Sequence, residues 1–108
     1  MTSIVQANLE GQLTQSSLLR ALNAAVPDET RVCLLINCLP MTGYDLDARN
    51  TFVEWNKAHR PRIAGVAIVT IKPAWQMVVA VMAMASGQQM RAFAAVDEAR
   101  AWLASLPG

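Results

Sequence analysis

The stretch from Ile63 to Leu103 constrains this chain most: an apolar run, a proline-started Met-rich segment, a short apolar run and a closing Trp-Leu segment follow without a break. Ile63 to Ile71 reads as a strand, with Gly65 allowing a neighbour to approach closely. Pro73 suits the first turn of the next helix, because the N–H it lacks has no partner there in any case. Gly87 ends that helix. Met90 to Phe93 reads as a short strand. Asp97 and Glu98 then favour the positive end of a last helix, with Ala99, Trp102, Leu103 and Leu106 on its inner side.

The first half of the chain repeats the alternation. Val5, Ala7 and Leu9 alternate with Gln6, Asn8 and Glu10, the pattern of a half-buried strand that Gly11 and Leu13 continue past a bend. Thr14 caps a helix whose stripe is Leu18, Leu22 and Ala25, and Pro27 closes it. Val32 to Ile36 is continuously apolar, as in a strand covered on both faces. After a loop from Pro40 to Tyr44, Asp45 caps a helix that runs to His59, with Ala48, Phe52 and Trp55 inward and Pro61 as its stop. Alternation of this kind demands right-handed crossovers that pack each helix back on the sheet it left. The expectation is one α/β domain over residues 1–108, with a mostly parallel sheet of four to five strands and about four helices.

A chain of 108 residues buries roughly 65% of its unfolded surface, enough for one core. Its apolar fraction of 54%, with 16% charged residues, exceeds the usual range of about 45–50%, so part of the excess is free for a partner to cover. Nine Lys and Arg balance eight Asp and Glu, which leaves no electrostatic footprint for nucleic acid. Met1 to Ile4 lacks the basic-then-apolar order of a secretory signal, so a cytoplasmic location is expected. The apolar run Met77 to Ala85 reaches about half of the ~20 residues that cross a bilayer, so no transmembrane segment is expected.

The chemistry-bearing residues are few. Cys33 and Cys38, five apart on one strand, point to opposite faces and neither bridge nor share a metal, and no His and Cys stand at zinc spacing. His59 is the sole histidine, with no nucleophile or carboxylate at a recognisable spacing. Asp45 and Asp47, two apart on a helix, point away from each other and make no acid–base pair. No enzyme activity, cofactor or metal is expected.

At this point the chain resembles the SpoIIAA-like family, the broad group of STAS and related domains. The likeness runs through Leu9 to Thr14, the strand from Val32 to Leu39 leading into Met41-Thr42-Gly43-Tyr44-Asp45, Ile63 to Val69, Lys72 to Trp75, and Phe93 with Asp97-Glu98-Ala99 and Trp102-Leu103. In STAS anti-sigma-factor antagonists the corresponding corner carries an Asp followed by a phosphorylatable Ser, where a partner kinase docks. Here Asp45 matches the Asp, while Leu46 and Asp47 stand where Ser and then Ser or Thr belong, so the switch hydroxyl is missing. Asp47 supplies one permanent negative charge at the helix start. The resemblance implies a regulatory domain with a docking loop at Thr42, Gly43, Asp45 and Asp47. Its partner would be a kinase-like or anti-sigma-type regulator, or another copy of the chain.

The helix from Ala74 to Ala85 is apolar around most of its circumference. Trp75, Met77, Val81 and Met84 mark a candidate apolar pocket or interface, with burial between the sheet and a neighbouring helix as the plain expectation. Two function classes follow: a protein-interaction domain, and a small-molecule or lipid-binding domain whose pocket this helix lines.

Overall fold

A computed structural model describes residues 2–28 and 30–107; Met1, which opens the N-terminal reading above, Glu29 and Gly108 lie outside the described residues. The elements run β1 (Ser3–Asn8), β2 (Gly11–Leu13), α1 (Gln15–Ala25), β3 (Val32–Asn37), β4 (Met41–Tyr44), α2 (Leu46–His59), β5 (Ile63–Val69), α3 (Pro73–Ser86), β6 (Met90–Phe93) and α4 (Val96–Ser105). The caps act as the sequence reading expects. Thr14 and Ser17 close a reciprocal capping box on α1, Pro73 opens α3, and Gly87 ends it at a φ of 69° that suits a residue without Cβ.

The main sheet has strand order β1-β3-β5-β6 with every pair parallel. Each crossover steps in the same direction, so α1, α2 and α3 lie together on one face, and α4, which follows the last strand, covers the other. Burial divides accordingly. Leu18, Leu22, Phe52, Trp55 and Val79 pack with Leu34, Ile36, Val66 and Ile68 on the three-helix side. Ala99 and Leu103 pack with Cys33, Leu35, Ala67 and Val69 on the other. Gly65 faces the end of α4, and an added Cβ would overlap the tip of the Leu106 side chain, which would have to move aside.

Four element boundaries differ from the sequence reading, the simplest being that β3 ends at Asn37 and leaves Cys38 and Leu39 beyond the strand. Gly11 to Leu13 does not continue β1: Gly11 takes a φ of 63° and turns the chain out of the main sheet. Pro40 to Tyr44 is not a loop throughout, because Met41–Tyr44 is a strand that pairs in parallel with Gly11–Leu13 as a second, two-stranded sheet. The burial of Leu13 and Met41 against the three-helix core accounts for this local pairing, since extended backbone sunk in a core needs hydrogen-bond partners. The fourth boundary is β5, which stops at Val69 instead of reaching Ile71. Thr70 Oγ1 accepts the Lys72 N–H and the Thr70 carbonyl accepts the Gln76 side-chain amide, so the backbone leaves the ladder for α3.

Candidate functional site

β3 and β5 end side by side, tied by the Cys38 N–H donating to the Val69 carbonyl at 2.9 Å. Beyond that tie the chain leaves both strands toward solvent at the carboxyl end of the sheet. Leu39 follows β3 at 45% exposure, Ile71 follows β5 at 68%, and Leu46 stands at the first turn of α2 at 59%. All three therefore follow a strand at the carboxyl end of the sheet or of the small second sheet.

Asp45 holds the corner between β4 and α2. Its Oδ1 accepts the Ala48 N–H at 2.7 Å, so its charge sits on the first turn of the helix whose dipole it complements. Asp47 is exposed one turn position further on and makes no such bond. Thr42 is exposed on β4, and Gly43 lies against the terminal amide of the exposed Gln12 side chain, which a Cβ would push aside. The four residues Thr42, Gly43, Asp45 and Asp47 therefore share one corner, but that corner is a strand end plus a helix start, not a free loop.

This corner is joined to α3 by an aromatic contact. Tyr44 and Trp75 meet edge-on with ring centroids 5.4 Å apart, and the Lys72 ammonium lies 3.9 Å over the Trp75 ring. Trp75 thus anchors the start of α3 to the carboxyl-end surface. The remainder of the Met-rich helix departs from the burial expectation, since only Val79 and Ser86 are fully buried. Met77, Val81 and Met84 point outward at 73%, 65% and 86% exposure. The reason is topological: α3 lies at the end of the three-helix layer, with α2 on one side only, and so cannot be sandwiched.

An apolar cavity of about 70 Å³ lies beneath, lined among others by Leu13, Met41, Phe52, Trp75, Val79 and Met82, with Arg49 at its edge. Of the four candidate pocket residues, Trp75 reaches it; Met77, Val81 and Met84 do not. The cavity is far below the ~300–1,000 Å³ of ordinary small-molecule sites.

His59, Cys33 and Cys38 are each held in the packing of the core, while Trp55 Nε1, Asn56 Oδ1, Arg62 Nε and Gln88 Nε2 are buried without a hydrogen-bond partner among the described residues. His59 Nδ1 is 2.8 Å from the Trp55 carbonyl, and its ring stacks on Trp55 at 4.2 Å. Cys33 and Cys38 are free and buried on opposite faces of the sheet. Burial pushes the Cys38 thiol up to about 12; burial also raises Cys33, partly offset by the positive charge of Arg31. Among the described residues no three His, Cys, Asp or Glu side chains converge as metal ligands, and no helix is long and apolar enough to cross a membrane.

Sequence reasoning missed Leu39 and Ile71 as surface features because each borders an apolar run and reads as its continuation, and missed Leu46 because it stands alone between two acids. It also missed Asn56, a fully buried amide on α2 that donates to the Phe52 carbonyl at 2.8 Å.

Comparison with known proteins agrees with this architecture. No curated protein matches the chain. The crystal structure of a protein from Shewanella loihica PV-4, described as an uncharacterised member of the DUF3478 family with a SpoIIAA-like fold, superposes with a TM-score of 0.70 at 19% identity. The match covers 91% of this chain and 82% of that one, and at this identity it speaks to the fold alone. The family model described as SpoIIAA-like matches residues 4–104, the span of all ten strands and helices but their outermost residues, and on that match the chain belongs to the SpoIIAA-like family.

Proposed function

We propose that this chain is a non-enzymatic, cytoplasmic regulatory domain that binds a protein partner through the carboxyl-end surface of its sheet. One observation carries the reading. Among the described residues, three of the exposed large hydrophobic side chains, Leu39, Leu46 and Ile71, follow strands at that end. The surface has an apolar centre in Leu39, Leu46 and Ile71, a fixed acid in Asp47 and a cation in Lys72. A fitting partner presents an apolar patch with a basic residue opposite Asp47, and the family likeness suggests a kinase-like or anti-sigma-type regulator.

Leu46 stands where STAS antagonists carry their phosphorylatable Ser. A leucine at 59% exposure docks by apolar contact and takes no phosphate, so binding here is constitutive instead of switched. The test is affinity capture from native lysate with matched baits. A protein retained by the wild type and lost from Leu46→Lys, with an unchanged circular dichroism spectrum, supports the reading; equal retention by both removes the surface from it.

The second reading, an apolar-ligand carrier, draws on the wholly apolar cavity under Trp75 and Met82. At about 70 Å³ it would have to open by displacement of α3 before it held a lipid chain, so the surface is the better supported site.

A further inference from the structure

We infer that the outer row of α3 is a self-complementary interface, and that its occupant is a second copy of this chain packed antiparallel about a two-fold axis. This goes beyond the partner-docking role of the carboxyl-end surface and does not depend on it. The fourteen residues Pro73–Ser86 carry no charged side chain. Pro73, Ala74, Met77, Ala80, Val81, Met84 and Ala85 are all exposed, and at 100° per residue they fall within an arc of about 140°. Gln76 sits outside that arc and is held by the Thr70 carbonyl. The exposed side of this helix is therefore apolar along its whole length, the reverse of an ordinary surface helix.

Three features select a second copy as the occupant. The first is spacing. Ala74, Met77, Val81 and Met84 follow one another at intervals of three, four and three, an order that reads the same in either direction. A two-fold axis crossing the helix between Met77 and Val81 therefore sets Ala74 of each copy against Met84 of the other, and Met77 against Val81. Each small side chain meets a larger one, the knob-and-hole requirement of close helix packing.

The second feature is area. With Met77, Val81 and Met84 at 73%, 65% and 86% exposure, the row offers on the order of 500 Å² per copy, so a pair buries about 1,000 Å², the lower bound for a specific interface.

The third feature is charge. A helix that lies on an anionic membrane carries Lys and Arg along its polar flank, whereas α3 carries none, and a charged protein groove finds no complement on it.

The test is sedimentation equilibrium of the full chain across a hundredfold range of concentration, on the wild type and on Met84→Glu. Because Met84 is 86% exposed, the substitution spares the core, and an unchanged circular dichroism melt verifies this. The wild type is expected to reach twice its 11.7 kDa, with the dissociation constant raised at least tenfold in the variant. Orientation is read by mixing Met77→Cys with Val81→Cys under oxidation: antiparallel pairing gives a mixed disulfide, and the buried native thiols do not compete. A monomer at every concentration, a dimer indifferent to Met84→Glu, or cross-linking of Met77→Cys only to itself would overturn the inference. So would a monomer that sediments with phosphatidylcholine–phosphatidylserine vesicles and loses them on Met84→Glu, since the row would then be a membrane face.

Discussion

Asp45 and Asp47 look alike in sequence and do different work. Asp45 spends its carboxylate on the Ala48 N–H, and Asp45→Ala should cost about 1 kcal/mol of stability in urea unfolding. Asp47 has no such bond and is exposed, so Asp47→Ala should leave the unfolding midpoint within error while weakening partner capture several-fold. If capture survives Asp47→Ala, the acid is merely a favourable first-turn charge. Cys38 offers a pH test at the same scale. Its thiol is raised by burial from 9.0 to about 12 in the fold, so the unfolded chain releases the proton first. The stability it contributes is whole below pH 9 and is lost as pH climbs toward 12. Cys38→Ala should flatten that alkaline decline, measured as urea midpoints from pH 8 to 11. An equal decline in both proteins would show that the thiol is not held neutral by the core.

At the scale of elements, α4 is the sole helix on its face of the sheet among the described residues, and the Leu106 side chain just past its end lies where a Cβ at Gly65 would stand. Gly65→Val should destabilise the domain by about 1–3 kcal/mol in chemical unfolding, with the loss of tertiary signal from Trp102 on α4. A neutral effect would mean that Leu106 swings away and that the close approach is incidental. The same glycine shows how far local sequence determines structure. Gly65, Pro73 and Gly87 act through the backbone where they stand, so local reasoning finds them. The split of Gly11–Leu13 from β1 is invisible to periodicity, because a strand that changes sheets keeps its alternation; only the φ of Gly11 and the partner Met41–Tyr44, some thirty residues away, distinguish the two. The outward face of α3 was illegible for a related reason. Apolar residues all round a helix predict burial, and only the sheet order, which leaves α3 at the end of its layer, shows that one side has nothing to be buried against.

Across the whole molecule, exposed apolar surface collects in two places. The sheet's two faces are closed by helices, and what is left over gathers at the carboxyl ends of β3 and β5 and along α3. Of the candidate site, the acids at the corner were legible because caps are local signals. The apolar centre was not, because Leu39, Leu46 and Ile71 acquire their exposure from where strands end in space. The account holds that this surface recognises a protein without transforming it. Native mass spectrometry of the chain captured gently from its own lysate, as wild type and as Leu46→Lys, tests that most directly. A stoichiometric protein partner is expected on the wild type and is expected to be missing from the variant. The chain bearing only a small apolar molecule, or the same partner on both, would contradict it.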